Sequence, residues 1–371
     1  MRHELTFYQL GNADSCRIAL ADGRQLLFDY ADMRNPSDPN DRRADLPRLL
    51  RDALGTRRAF DVVAFTHADN DHVCGAASFF YLEHSSKYQN DTRIRIQELW
   101  VPAAFIIESR NDLSADARAI QEEARYRLIQ GRGIRVFSRP DRLADWLAKH
   151  NLSLAARKQL IVDAGQLVPG FTRAQQGVEF FVHSPFAHRL DNGKVIDRND
   201  CSLVLQATFE TGGDPVRLIL AADTTHEILS ELIGITRAHR NDERLRWHVI
   251  KLPHHCSYKS LSEEKGSYET TPDEPIAWLF EKQGETHGII VSTSDPIPTE
   301  DTDQPPHVQA ARYYRRIAGK RSYRFIVTME HPSTSSPEPL VITIDHTGAT
   351  PQQRNRGSSV IVTGRPAPRA G

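Results

Sequence analysis

The stretch Phe60–His72, FDVVAFTHADNDH, joins a run of apolar residues directly to a polar loop. FDVVAF has the length and the near-continuous hydrophobicity of a strand buried on both faces. THADNDH then places four potential metal ligands, His67, Asp69, Asp71 and His72, within six residues. At that spacing only a tight loop brings all four to one point. A metal ion requires such convergence, because its ligands replace a hydration shell at fixed distances. The competing reading is a polar turn in which Asp69 or Asp71 caps a following helix. Either way, the polar groups stand at the C-terminal end of a core strand.

Two later segments repeat the pattern. In LILAADTTHE, Asp223 follows a buried apolar run, where a carboxylate is costly unless a cation or hydrogen-bond donors meet it. In KLPHHCSYKS, His254 and His255 end another apolar run. Three strand ends therefore direct ligand-type side chains toward one edge. Upstream, LTFYQLG and CRIALADGRQLLFDY read as short strands, with a turn at Ala21-Asp22-Gly23 that makes a hairpin. Leu46, Leu49, Leu50 and Leu54 mark one helical stripe within 38–58, and VCGAASFFYL (73–82) reads as a helix leaving the histidine loop. From about 84 to 165 the composition turns to Arg, Ala, Glu and Leu, with helical patterns around 114–131 and 141–161. This segment is expected to form a helical insertion or cap. Strand patterns resume at VEFFVH, CSLVLQATF, VRLILAA, WHVIKLP, GIIVST, YRFIVTM and PLVITI. The whole reads as one α/β domain over 1–350, followed by a tail, 351–371, that has four arginines and no acid and is expected to be disordered.

Composition fits a water-soluble globular chain: 371 residues, 39% hydrophobic, 26% charged, net charge −1. No apolar run approaches the ~18 residues of a membrane span, and MRHELTFYQL lacks the core of a signal peptide. The expectation is a cytoplasmic protein without a membrane partner. Cys16, Cys74, Cys201 and Cys256 include no CxxC pair, which speaks against a disulfide framework and a zinc knuckle. With so little net charge, any nucleic-acid affinity must come from local patches.

The ordered motifs resemble the metallo-β-lactamase fold hydrolases, and within them the hydrolase domain of the ComEC/Rec2 competence proteins. GNADSC and LLFDY look like that branch's GxGDS and IDxG, and FTHADNDHVCGA is similar to its S/T-H-x-D-x-D-H-x-G-G loop. RNDCSLVL resembles its N-x-x-S-L-V-L strand, LILAAD its LLTGD, and KLPHHCSYKS its LxxxHHGSxxS. The segment running from GIIVSTSD to PPHVQAARYY is like its downstream SxG and HP elements. The likeness covers about residues 4–83 and 178–346. It implies an αββα sandwich and a pair of divalent ions. His67 and Asp69 would hold one ion, with Asn199 or Asp200. Asp71, His72 and one of His254 and His255 would hold the other, and Asp223 would bridge. His255 is favoured as the ligand and His254 as a substrate-facing group, with Asp71 and His254 taking part in catalysis. Asp29, at the end of LLFDY, looks like the buried carboxylate that orients a ligand histidine. The sequence departs from the pattern in three places. Aspartate replaces the wider superfamily's histidine at 69, the usual third-motif histidine is absent, and Cys74 and Cys256 stand where glycine is usual. His183 lies too early to substitute and reads better as a strand-end histidine bonded to backbone.

The resemblance implies metal-assisted hydrolysis of an ester, and an oxygen-rich ligand set suits Mn²⁺ or Mg²⁺ beside Zn²⁺. Phosphodiesters, DNA foremost, are the leading substrate class. Ser257, Lys259 and His307, together with His226 and Lys251, are candidates for phosphate contacts or proton transfer. Arginines at 42, 43, 57, 58, 125, 127, 132 and 135 could bind a nucleic-acid backbone. Within 110–142, however, they alternate with acids, as on a solvated helix face. Two other readings stay open: a hydrolase of a small phosphoester or lactone, and a non-catalytic subunit of a larger complex bound to a partner protein.

Overall fold

The computed structural model describes residues 1–109, 111–192 and 197–352. Among the described residues, fifteen strands form two sheets. The first runs in the order β15 (Gly348–Pro351), β14 (Leu340–Asp345), β1 (His3–Phe7), β2 (Cys16–Ala19), β3 (Gln25–Phe28), β4 (Ala59–Ala64), β5 (Arg95–Pro102), β6 (Ile134–Phe137) and β7 (Ile161–Val162). The second runs β13 (Arg324–Val327), β12 (Gly284–Ser292), β11 (Trp247–Lys251), β10 (Val216–Leu220), β9 (Val204–Phe209) and β8 (Val178–Ser184). Helices cover both outer faces, giving the expected αββα sandwich.

Strand alternation builds the layers. Val62 and Ala64 of β4 face the second sheet, where they meet Leu218 and Leu220 of β10 and Val249 of β11. Val63, with Phe65 just beyond, turns outward to the helices Leu46–Leu54, Ala103–Ile107 and Ala115–Gln130. On the far side, Ile219 and Ile250 meet the helices His226–Ala238, Glu274–Lys282 and Val308–Arg321. The hairpin turn at residues 21–23 and the strands read from the sequence are present.

Three expectations need correction. The segment 84–165 is not a helical cap: it contributes β5, β6 and β7, which extend the first sheet in parallel beyond β4. Its helix at Ala115–Gln130 is as read, but the second pattern breaks after Lys149, where Asn151 adopts a left-handed backbone (φ 57°), and resumes only as the short turns Leu154–Arg157 and Lys158–Leu160. The run 73–82 is not one helix either; Gly75, at φ 79°, splits it into turns at Asn70–Val73 and Ala76–Phe79. There a Cβ would lie 3.1 Å from the Asp32 side chain, so the close approach also favours glycine. Of the tail expected to be disordered, Pro351 ends β15, and residues 353–371 lie outside the described residues. Among the described residues no helix is long and apolar enough to cross a membrane.

Candidate metal centre

Both sheets point the C-terminal ends of parallel strands at the same edge. β3 and β4 run parallel, as do β10, β11 and β12. Asp29 follows β3, His67 to His72 follow β4, Asp223 follows β10, and His254 and His255 follow β11. The loops are tied together through backbone: Asp14 N–H donates to Asp71 C=O (3.0 Å), Tyr30 N–H to His72 C=O (3.0 Å) and Leu203 N–H to Thr66 C=O (3.0 Å). After Pro253 the chain takes three successive left-handed residues, His254, His255 and Cys256 (φ 49°, 52° and 64°). That turn carries the two imidazoles apart.

Asp71, His72, Asp223 and His255 converge, with one ligand-type atom of each lying within 4.8 Å of the others. His255 Nε2 is 3.1 Å from Asp71 Oδ2 and 3.3 Å from Asp223 Oδ2, and His72 Nε2 is 3.3 Å from Asp223 Oδ1. The rear nitrogens are anchored. His72 Nδ1 meets Asp29 Oδ2 at 2.8 Å, and His255 Nδ1 donates to Thr293 C=O at 2.7 Å. Asp29 is fixed in turn by Thr66, whose N–H and hydroxyl both donate to it at 2.7 Å. His72 Nε2 and Asp223 Oδ1 are buried facing each other, and neither meets a closer partner. Burial opposes charge on all four groups. Even so, Asp223 with its neighbouring carboxylates holds His255 up, to about 10, and raises His72, while the two imidazoles hold Asp71 and Asp223 below the carboxylate range. Carboxylates that hold protons on inward-facing imidazole nitrogens form a set that a divalent cation can enter by displacing those protons. The donors fit a metal ion.

The other expected ligand set does not assemble in this way. His67 packs against His72, with ring centroids 3.9 Å apart and the planes tilted by 52°, and its Nε2 is buried and unpartnered, 3.6 Å from Asp69 Oδ2. Burial, then the His72 charge, lowers its pKa. Asp69 precedes the turn Asn70–Val73 but makes no capping bond; its Oδ1 instead accepts from Arg198 Nη1 at 2.8 Å. Asp200 accepts from the Thr225 hydroxyl at 3.0 Å, while Asn199 Oδ1 is buried without a partner. Among the described residues, neither His67 nor Asp69 nor Asp200 joins a cluster of three or more ligand-type side chains.

The remaining candidates divide by environment. His254 is half-buried, its Nδ1 lacks a partner, and burial lowers its pKa, so the ring is neutral. Ser257 is buried and accepts from Lys259 N–H, a local turn contact. The Lys259 side chain is exposed. His307 packs on Tyr258, with Nε2 buried and unpartnered. His226 pairs with Asp273 at 2.7 Å. His183 Nε2 donates to Arg244 C=O at 2.9 Å. Cys256 is buried among apolar residues.

Asp14 and Arg198 were not marked by the sequence. Lys251 alternates with Ile250, so it faces inward between the sheets. There it contacts Asp14, donates to Ala222 C=O at 2.8 Å and lies 3.6 Å from Asp223. Asp14 also belongs to a second cluster, with Asp29 and His72.

No family model matches the chain, and no curated protein matches it. Among solved structures it is similar to unliganded yeast PDE1, with 10% identity over 88% of this chain and 97% of that one and a TM-score of 0.44. A diphosphatase from the PhnP family has 11% identity, 93% and 98% coverage and a TM-score of 0.35. A long form RNase Z from yeast has 11% identity, 93% and 41% coverage and a TM-score of 0.35.

Proposed function

We propose that the protein is a metal-dependent hydrolase of phosphate diesters. The observation that carries this reading is the Asp71, His72, Asp223 and His255 quartet, whose ligand-type atoms face one another at one point. Two carboxylates and two imidazoles suit Mn²⁺ or Zn²⁺ better than Mg²⁺, which favours oxygen and water. A divalent ion held there would polarise a phosphoryl oxygen and make water acidic enough to supply a nucleophile near neutral pH. The protein's own groups orient the reaction. Asp29 and Thr293 fix the two ligand imidazoles. Asp71, whose side chain is 31% exposed while those of His72, Asp223 and His255 are buried, marks the side from which substrate approaches. His254, neutral and beside the quartet, is placed to hydrogen-bond or pass a proton to a substrate oxygen.

The nuclease form of this reading, with DNA as substrate, rests on the resemblance of the ordered motifs to the competence-type hydrolase domain. It draws no support from the arginines of 110–142. Arg127 is buried against Glu123, Arg132 and Arg135 pair with Glu83 and Glu98, and Arg125 bonds Glu122 and backbone carbonyls. Arg43 and Arg57 pair with Asp41 and Asp61, and Arg42 bonds Thr334 C=O.

The test is to add Mn²⁺, Zn²⁺ or Mg²⁺ to metal-stripped protein with bis-p-nitrophenyl phosphate, linear and circular DNA, and RNA, with Asp71→Ala in parallel. Metal-dependent diester cleavage that Asp71→Ala reduces to background is expected. Cleavage of carboxylic esters or lactones alone, or no cleavage, overturns the proposal.

A further inference from the structure

Asp69 stands in the loop that supplies Asp71 and His72, yet its carboxylate is already engaged by a cation belonging to the chain. Arg198 reaches Asp69 Oδ1 through Nη1 at 2.8 Å. The same guanidinium grips Glu108 with a fork, Nε to Oε1 at 3.0 Å and Nη2 to Oε1 at 2.8 Å, and its Nη2 also meets Asp112 at 2.7 Å. Glu108 is buried, at 2% exposure, and Arg198 is mostly covered, with 12% of its side chain exposed. Guanidinium nitrogens are coplanar and rigidly spaced, so Arg198 cannot swing off Asp69 without disturbing its fork on Glu108. An ion approaching Asp69 would add two positive charges beside a fixed third. Asp200, the other acid expected here, is turned to Thr225.

We propose that the centre is mononuclear: one divalent ion sits on Asp71, His72, Asp223 and His255, and the Arg198 guanidinium stands where a second ion would meet Asp69. The inference rests on the metal-dependent reading above and deepens it. His67, packed against His72 with the rings tilted by 52°, borders this single site and founds no other while Arg198 holds Asp69. The second positive charge is permanent, because a guanidinium does not dissociate as a metal does.

The experiment counts ions. Full-length protein is stripped with chelator, loaded with Mn²⁺ or Zn²⁺ and freed of excess, and metal per chain is measured by mass spectrometry. One ion per chain is expected for the natural sequence and for Asp69→Asn. Arg198→Gln, with its fold checked by circular dichroism, is expected to bind a second ion by freeing Asp69, while Arg198→Lys retains one. Two ions on the natural sequence, loss of the ion from Asp69→Asn, or a folded Arg198→Gln that still holds one would each overturn the inference and leave the hydrolase reading intact. No bound ion at all overturns both.

Discussion

His72 Nδ1 lies 2.8 Å from Asp29 Oδ2, and this contact turns Nε2 toward Asp223, 3.3 Å away. Asp29 has a positive φ of 58°, which asparagine tolerates better than other replacements. Asp29→Asn should therefore fold, yet present His72 a neutral and weaker partner. Metal affinity is expected to fall by about 10–100-fold, read by competition with a chromophoric chelator. Unchanged affinity would mean that the carboxylate does not orient the ligand.

Lys251 and Asp14 form an ion pair between the sheets, with both side chains less than a tenth exposed. Removing one partner strands a buried charge, so Lys251→Met should destabilise the protein by about 3–5 kcal/mol. The Asp14→Asn/Lys251→Met double variant should recover part of that loss, with a coupling of about 1–3 kcal/mol. Urea unfolding in the presence of chelator measures the cycle. Additive effects would show that the two groups do not depend on each other.

Stability should fall with acid in two separable windows. Burial keeps His183 neutral and lowers its pKa to about 4, against 6.5 for the free group. Between those values the unfolded chain takes up a proton that the fold refuses, so stability declines as pH drops from 6.5 to 4. The full effect is on the order of 3 kcal/mol. His183→Gln should flatten that part of the profile. Glu123 behaves differently. Burial opposes its charge, but His84 and Arg127 hold its pKa down to about 2. Its contribution is complete above pH 4.5 and is lost as pH falls toward 2. Urea midpoints taken across pH 7 to 3 test both windows; a flat profile from 6.5 to 4 in the natural protein would contradict the first.

The features legible in the sequence share a local signature. An apolar run that stops at His67, Asp223 or His254 announces a strand whose end carries chemistry, and each of these lies at such an end. β5, RIQELWVP, was hidden because Arg95, Gln97 and Glu98 interrupt its hydrophobic pattern. The structure satisfies Glu98 through its neighbour Trp100 Nε1 and through Arg135, 37 residues away, a contact that no local window contains. Arg198 carries no local signature for a related reason. Its partners Asp69, Glu108 and Asp112 are 129, 90 and 86 residues away, and a guanidinium does not belong to the usual pattern of metal ligands. Asp14 stands in GNADSC, likened to GxGDS, but no role could be read for it there, because its burial depends on Lys251 arriving from the opposite sheet. Alternation along β11 could have suggested that, since Lys251 falls on the same face as Val249.

The run from His254 to Cys256 turns left three times with no glycine to ease it. Each such residue costs about 1–2 kcal/mol relative to an ordinary helical or extended backbone. A short peptide copied from this segment would therefore relax and lose the separation of its two imidazoles. The geometry is on loan from the surrounding sheets, and whatever loosens β11 or β12 at their ends will be felt as a blunted site well before the protein unfolds.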